Sequence, residues 1–374
     1  MASPPKTTET SQDQRRLYSG HVIYMFAFDL AYDMVQPRIT ELLGQPLREY
    51  TIGPSKRSPK QFFFYRPQRV VFPPEPMPVF DRSAEVVAGI KIFSIGAISI
   101  RISVPFQGES LESLVRYHGL QINQRARTLA GQVLEALRPY CIRPVSSPAE
   151  SEEYTVFQID PLPGSPRADW SAETWFTTNR PAIAGLLTEE QDPAHLSEQE
   201  ITESTQAYLS YYTRDLLVVD WDAALVMAEP DTLEDVLHIM EVANVQLLEL
   251  GVYDRMLDTA MDRVYRDLYR SRVSRSRKVH QTLREIRVDM ARFSDELLNV
   301  TKFFGDWHLA RLYQGLSGRF HLQDWYRTIN EKLKVLADLY QLLQQDSVNF
   351  WMAVMEATII LLFIADLAFL FVDK

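Results

Sequence analysis

Proline stops abruptly part-way along this chain. All 21 prolines of the 374 residues lie at or before Pro230, and residues 231–374 contain none. Proline breaks helix interiors and is confined to edge positions in sheets. The first part of the chain is therefore expected to form short elements joined by turns, whereas the second part can form long helices. We predict an α+β fold, with a mixed α/β domain at residues 19–230 followed by long helices.

The composition limits the classes of protein to consider. Hydrophobic residues make up 46% of the chain, enough to bury a core, and the net charge of -10 argues against a surface built as a whole to bind nucleic acid or anionic lipid. Cys141 is the single cysteine, which excludes an internal disulfide framework and a cysteine-based zinc site and is typical of a reducing compartment. Residues 1–18 are polar and are expected to form a flexible arm.

Short β-rich runs alternate with turns through residues 19–230. The stretch "HVIYMFAFDLAYDM" predicts a buried strand, and "GIKIFSIGAISIRISVP" predicts two strands with Gly96 between them. Helices are predicted for "QRARTLAGQVLEALRP" and, more briefly, for "VQPRITELLG". The stretches "YTVFQIDPL" and "DLLVVDWDAALVM" predict further strands, with a long loop between them near residues 160–204.

Residues 231–348 show three long helical segments. The first, from Asp231 to Arg272, begins with acidic residues and ends in arginines, as the helix dipole favours. The other two carry apolar residues at alternating spacings of three and four, which indicates coiled-coil seams. The seams are Val279, Leu283, Ile286, Met290, Phe293, Leu297, Val300 and Phe304, then Ile329, Leu333, Leu336, Tyr340 and Leu343. We expect antiparallel, coiled-coil-like packing.

The segment from Phe350 to Val372 is almost entirely apolar. As a helix it is about 35 Å long, against about 30 Å of hydrocarbon in a bilayer, so residues 349–374 predict one C-terminal transmembrane helix. Its polar face would consist of Asn349, Glu356 and Asp366. Buried carboxylates persist only when protonated, paired or hydrogen-bonded, so this face is expected to contact other copies in a homo-oligomer. The alternative is the apolar centre of a soluble bundle.

The run "RSRVSRSRK" places a basic cluster at a helix junction. Its cations, which can hold phosphate of RNA or lipid, are Arg270, Arg272, Arg275, Arg277 and Lys278. No aromatic residue lies within the run to stack on bases, and a solvated turn is the favoured interpretation.

Two groups of ionisable residues have spacings that suit metal binding or acid–base catalysis. Glu234, His238 and Glu241 share one helical face and can ligate a metal if a second helix contributes, but a solvated face is favoured. Asp220 and Asp222 can serve acid–base chemistry or bind a cation, but strand-end or turn positions are favoured. Neither a phosphate-binding glycine loop nor a nucleophile elbow is present in the sequence. We predict that the protein is not an enzyme and that it has neither catalytic residues nor a cofactor.

Several of these stretches resemble the required-for-meiotic-nuclear-division family. "MEATIILLFIADL" is similar to its acidic terminal segment, "LYQGLSGRFHLQDWYRTINEKLKVLADLYQLL" to the region before it, and "FSIGAISIRIS" to one of its strands. Ala357 and Asp366 stand where that family commonly has Trp and Glu. The resemblance implies a bacterial member that is a membrane-anchored oligomer with an α+β domain. Mitochondrial members are linked to translation at the inner membrane, and the family has no established catalytic residues.

The features together predict a membrane-anchored homo-oligomeric scaffold or tether. We expect the bulk of the chain in the cytoplasm at a bacterial inner membrane, with membrane lipid, further copies and a protein partner as contacts. Nucleic acid is a less favoured partner. Two alternatives stay open. One is an ion channel like the CorA-type magnesium channels, with acids lining a pore. The other is a tether that binds RNA or phosphate through the basic run.

Overall fold

The computed structural model describes residues 17–35, 39–50, 67–160, 171–270 and 307–372, with residues 284, 287 and 288. The chain divides into two compact units. The first comprises Met1–Leu248 with Phe304–Phe320, and the second comprises Glu249–Phe303 with His321–Lys374.

Strands dominate the first unit. They are β1 (Tyr18–Asp29), β2 (Ala31–Met34), β3 (Glu41–Leu42), β4 (Gln45–Pro46), β5 (Arg48–Glu49), β6 (Gln68–Val71), β7 (Glu75–Val79), β8 (Arg82–Ile92), β9 (Ala97–Glu109), β10 (Cys141–Pro144), β11 (Ser151–Ile159), β12 (Tyr208–Leu209), β13 (Leu216–Val219) and β14 (Ala223–Met227). The helices of the described residues are α1 (Leu111–Leu114), α2 (Asn123–Leu137), α3 (Ala172–Leu187), α4 (Glu198–Ser204), α5 (Pro230–Arg270), α6 (Trp307–Arg319) and α7 (Leu322–Val372). Short 3-10 turns lie at Val115–Gly119, Arg138–Tyr140 and Pro193–His195.

One large mixed sheet organises the first unit. Its strand order is β12-β13-β14-β11-β1-β9-β8-β6-β5, with β7 paired to β8. In the described part of the chain β11 and β14 run parallel, and the other pairs of this sheet are antiparallel. The α+β class predicted from the sequence is confirmed.

The two faces of this sheet differ in chemistry. Phe26 and Phe28 of β1 lie on one face, in a hydrophobic core that also contains Val133 and Leu134 of α2. Alternation along each strand turns Met25 and its cross-strand partner Arg101 to the opposite face. Polar residues of this second face meet α5, as described below.

Most of the longer predicted elements are confirmed. The run from His21 forms β1 as far as Asp29 and then β2, so the one strand predicted there is in fact two. The two strands around Gly96 are β8 and β9, and α2 and α5 occur where helices were predicted. Gly96 sits in the turn with a φ of 93°, which suits glycine.

The short helix predicted around residues 35–44 is wrong. The described residues there form the β3–β4 hairpin, in which Leu42 pairs with Gln45. Leu43 and Gly44 have positive φ values of 49° and 78°, which a right-handed helix does not allow. The turn chemistry of glycine outweighed the helical spacing of the apolar residues.

The long loop predicted near residues 160–204 is also wrong over most of its length. α3 begins after Ser171, whose side chain caps the helix by accepting a hydrogen bond from the Thr174 amide. Its buried Trp175 donates from Nε1 to the Tyr18 hydroxyl at 3.0 Å. Burial against the sheet stabilises α3 although Pro181 lies inside it. Residues 161–170 lie outside the described part.

The second unit contains the end of α5 and all of α7. Lys332 of α7 forms ion pairs with Asp254 at 2.7 Å and Asp258 at 2.6 Å. Ile329, Leu333 and Leu336 are buried, and their packing as a coiled-coil seam stays a prediction. The seam predicted between residues 279 and 304, and the side chains of Tyr340 and Leu343, lie outside the described residues.

In the ranges that the structure describes, no helix is long and apolar enough to cross a membrane. The C-terminal transmembrane helix predicted from the sequence is therefore not supported by the structure.

Candidate functional site

Three basic side chains lie side by side on the second face of the sheet. Arg69 of β6 pairs directly with Lys91 of β8, and Gly89 of β8 pairs with Arg101 of β9. Residues two apart along a strand point to the same side, so Arg69, Lys91 and Arg101 share one face, and we call them the basic strip. Lys91 is only 2% exposed. Buried cations of this kind require partners.

Helix α5 supplies the partners of Lys91. Lys91 Nζ forms an ion pair with the carboxylate of Glu241, and both side chains are almost completely buried. His238 lies one turn earlier on the same face of α5, with its Nδ1 3.3 Å from Lys91 Nζ. The Tyr50 ring completes this pocket, with its centroid 4.3 Å from Lys91 Nζ and 4.6 Å from the centre of the His238 ring.

Glu234 joins the other two cations of the basic strip. Arg101 donates to both carboxylate oxygens of Glu234, at 2.9 Å from Nη2 and 3.2 Å from Nη1. Arg69 Nη1 lies 2.9 Å from the second oxygen. The carboxylate therefore bridges two guanidinium groups, and α5 is joined to three adjacent strands of the sheet.

Burial and charge shift the pKa values of this cluster. Desolvation lowers the pKa of Lys91, although Glu241 opposes the shift. Desolvation, reinforced by Lys91, Arg101 and Arg69, holds the pKa of His238 well below its ordinary value. Burial would raise the pKa of Glu234, but the three cations outweigh it and lower that pKa. The cluster therefore consists of ion pairs around a neutral histidine.

The solvated helix face favoured from the sequence is wrong for two of its three residues. His238 is 4% and Glu241 1% exposed, because the cations of the basic strip lie opposite them. Across the ranges that the structure describes, no group of three His, Cys, Asp or Glu side chains could hold a metal ion. Glu234, His238 and Glu241 instead face cations, which compete with any metal for the same carboxylates.

The basic half of the cluster was not predicted, although the sequence contains a signal for it. Lys91 and Arg101 each interrupt a strongly apolar β-run, "GIKIF" and "ISIRISV". A charged residue at an inward position of a strand requires a partner of opposite charge. Nothing in the spacing of either run indicates that the partner lies more than a hundred residues later in α5.

The aspartates Asp220 and Asp222 lie at the turn between β13 and β14, on either side of Trp221. The single strand predicted there is in fact this hairpin. Asp220 forms an ion pair with Arg319 of α6, with Oδ1 2.7 Å from Nη2. Burial raises the pKa of Asp220 while Arg319 lowers it. Asp220 is thus held by an arginine, in agreement with the favoured turn interpretation.

The remaining predicted site residues are only partly described. Asn349, Glu356 and Asp366 belong to α7, and the Glu356 side chain is exposed. The side chains of Asn349 and Asp366 lie outside the described residues. Arg270 ends α5, its side chain is likewise outside them, and so are the other cations of the basic run, Arg272, Arg275, Arg277 and Lys278.

Comparison with protein families identifies the first part of the chain. The family described as "Uncharacterized protein MJ0711, N-terminal domain" matches residues 19–232, more than half of the chain. The chain belongs to this family. The match covers the sheet and the basic strip of this MJ0711-family domain, and it ends just before Glu234.

A relative of the MJ0711 family was found in Methanocaldococcus jannaschii. It is described as "Uncharacterized protein MJ0711" and is 24% identical over 196 residues, which cover 52% of this chain and 60% of the relative. The match thus spans less than two thirds of the relative's own length. No solved structure matches. The comparisons support this domain family, not the meiotic-division family specifically.

The stability of the first unit should depend on pH through His238. Its folded pKa lies well below the ordinary value of 6.5, so below about pH 6.5 the unfolded chain binds a proton that the folded chain does not. The free energy of unfolding should therefore fall as the pH is lowered, by about 1.4 kcal/mol per pH unit from this group. Urea denaturation at pH 7, 6 and 5 measures the slope. His238→Asn should show a smaller slope, and equal slopes in both proteins would contradict the assignment.

Proposed function

We propose that this protein is a membrane-anchored, self-associating scaffold that presents its MJ0711-family domain to a protein partner. One observation carries the proposal. Every residue of α7 from Trp351 to Ile364 is exposed, although this segment is almost entirely apolar. We call Trp351–Ile364 the apolar sleeve. Leu361 and Phe363, for example, are 68% and 70% exposed.

Glu356 and Thr358 are the only polar residues of the apolar sleeve, and the other side chains around this helix are apolar. A helix that contacts one neighbour along a stripe is amphipathic, whereas a helix that is apolar all round needs an apolar environment on every side. Lipid provides such an environment. The sleeve is about 21 Å long by helical rise, and α7 continues through the largely apolar "ADLAFLFV" to Val372. In this proposal α7 crosses a bilayer whose hydrocarbon region is about 30 Å thick.

Glu356 supports the self-association part of the proposal. Its carboxylate lies inside the apolar sleeve and is exposed in the single chain. In lipid, a carboxylate is tolerated when it is protonated or hydrogen-bonded to a neighbour. Copies of α7 that meet at Glu356 would provide such a neighbour. The resemblance to the meiotic-division family implies the same combination of anchor and oligomer.

Flotation with liposomes tests the anchor. Full-length protein should float with the vesicles, whereas Ile360→Lys combined with Leu361→Lys should stay at the bottom of the gradient. Each lysine raises the free energy of membrane insertion by about 2.5 to 3.5 kcal/mol, so two lysines should reduce the bound fraction by three orders of magnitude or more. Val335→Lys is the matched control, because Val335 is a 47% exposed residue of α7 outside the sleeve and its variant should still float. Wild-type protein that does not float would refute the anchor.

Native mass of detergent-extracted protein tests the scaffold. We expect a single oligomer larger than a monomer, and Glu356→Leu should reduce its subunit number or stability. A monomeric wild-type protein would refute self-association. An unchanged oligomer in the Glu356→Leu protein would remove Glu356 from the contacts and leave the anchor standing.

A further inference from the structure

The ion pairs of the basic strip are divided by charge between the sheet and α5. The sheet supplies the three cations Arg69, Lys91 and Arg101, and α5 supplies the carboxylates of Glu234 and Glu241 that neutralise them. Two guanidinium groups that converge on one carboxylate form the arrangement with which proteins hold carboxylate or phosphate ligands. In this cluster, the oxygens of Glu234 occupy the ligand position.

Glu234 differs from Glu241 in its access to solvent. The Glu241 side chain is 1% exposed, whereas that of Glu234 is 41% exposed, although its partner Arg101 is only 10% exposed. Glu234 thus reaches the arginines from the solvent side. A rotation of this side chain alone would open the two guanidinium groups to a soluble anion, while the buried Lys91–Glu241 pair stays in place.

A buried hydroxyl without a partner lies beside the same cations. Ser99 is 1% exposed, and its Oγ makes no hydrogen bond in the described structure. Ser99 pairs across the strands with Lys91 and lies two residues before Arg101, so it points to the same face of the sheet. A carboxylate offers two acceptor oxygens, both used by the arginines, whereas a phosphate group has a further oxygen that is left over for a hydroxyl donor such as Ser99.

We propose that Arg69, Arg101 and Ser99 form a binding site for the phosphate group of a small soluble molecule, and that Glu234 occupies this site until the ligand displaces it. When Glu234 leaves, three positive charges of the basic strip face the single negative charge of Glu241. The remaining charge of +2 suits a phosphate dianion. The proposal is independent of the membrane anchor, because it uses only side chains of the first unit.

Calorimetric titration with inorganic phosphate at constant ionic strength tests the site. Glu234→Gln keeps the size of the side chain but removes the competing charge, so it should bind phosphate about tenfold more tightly than wild type, or better. Glu229→Gln is the matched control, since it removes the same charge from an exposed position just before α5 and should bind like wild type. Adding Arg101→Lys or Ser99→Ala to Glu234→Gln should weaken binding again.

Several outcomes would overturn the proposal. Equal phosphate affinity in Glu234→Gln, Glu229→Gln and wild type would do so, as would binding that survives Arg101→Lys in the Glu234→Gln protein. If Glu234→Gln does not fold, Glu234→Asp is titrated instead, because its shorter side chain keeps the charge but cannot bridge both arginines, and it should also bind more tightly than wild type. Preference for vesicles with phosphatidate over soluble phosphate would overturn the small-molecule assignment.

Discussion

Replacing Glu241 with leucine should lower the free energy of unfolding by about 3 to 5 kcal/mol, because it leaves the Lys91 ammonium buried without its counter-charge. His238 cannot replace the lost carboxylate, since it is neutral and holds no negative charge. Urea denaturation at pH 7 measures the change. A loss of less than about 1 kcal/mol would show that Lys91 releases its proton or reaches solvent instead.

The double variant distinguishes a buried charge from a general packing defect. Lys91→Met combined with Glu241→Leu removes both charges and should recover most of the stability lost in Glu241→Leu alone. The exposed pair of Glu135 and Arg138 provides the control, and Glu135→Gln should change stability little. If the double variant is as unstable as the single one, packing rather than charge determines the effect.

Replacing Gly96 with alanine should destabilise the domain by about 3 kcal/mol or more. A Cβ atom at this position would lie 1.9 Å from the carbonyl oxygen of Ala31, and the φ of 93° disfavours any side chain. The Gly96 carbonyl also accepts hydrogen bonds from the amides of Leu30 and Ala31, at 2.9 and 3.2 Å. The turn cannot move away from β2 without the loss of these bonds.

Gly131→Ala is the matched control for Gly96→Ala. Gly131 lies within α2, and a Cβ atom there would have no neighbour within 4 Å. Alanine should therefore stabilise the helix by about 0.5 to 1 kcal/mol. Thermal and urea unfolding of the two variants should move in opposite directions. A neutral Gly96→Ala variant would mean that the turn adopts another conformation.

Elements whose signal is local and long could be predicted from the sequence. β1, β8 and β9 each contain a long, mainly apolar run, α2 has an amphipathic pattern, and Gly96 marks the turn between β8 and β9. For α5, the acidic start, the basic end and the absence of proline agree with each other. These patterns depend on residues that are neighbours along the chain, so no tertiary information is needed to recognise them.

Elements that depend on distant contacts were missed. α3 contains Pro181 and follows an acidic, proline-rich stretch, and it is stabilised by burial of Trp175 against Tyr18 of β1. The "VVDWDAAL" segment contains no glycine or proline, yet it turns at Trp221 because β13 and β14 pair with each other. Asp220 and Asp222 favour a turn there, but they do not show that the flanking residues form two separate strands.

Only one half of the candidate site could be predicted from the sequence, for the same reason. Its α5 side, Glu234, His238 and Glu241, follows from helical spacing, whereas its sheet side requires the register that brings Lys91 opposite Arg69. The apparent metal pattern was therefore the acidic half of an ionic cluster. Only the pairing of strands could show that cations face it.

The position of β1 in the middle of the sheet affects how the protein is made. This strand leaves the ribosome before its neighbours β9 and β11, and Gly20 must wait for Ile159 before the second edge of β1 is covered. Contacts between such distant residues form slowly, and an unpaired apolar strand invites association with other nascent chains. Synthesis of this protein should therefore depend on chaperones until β11 has emerged.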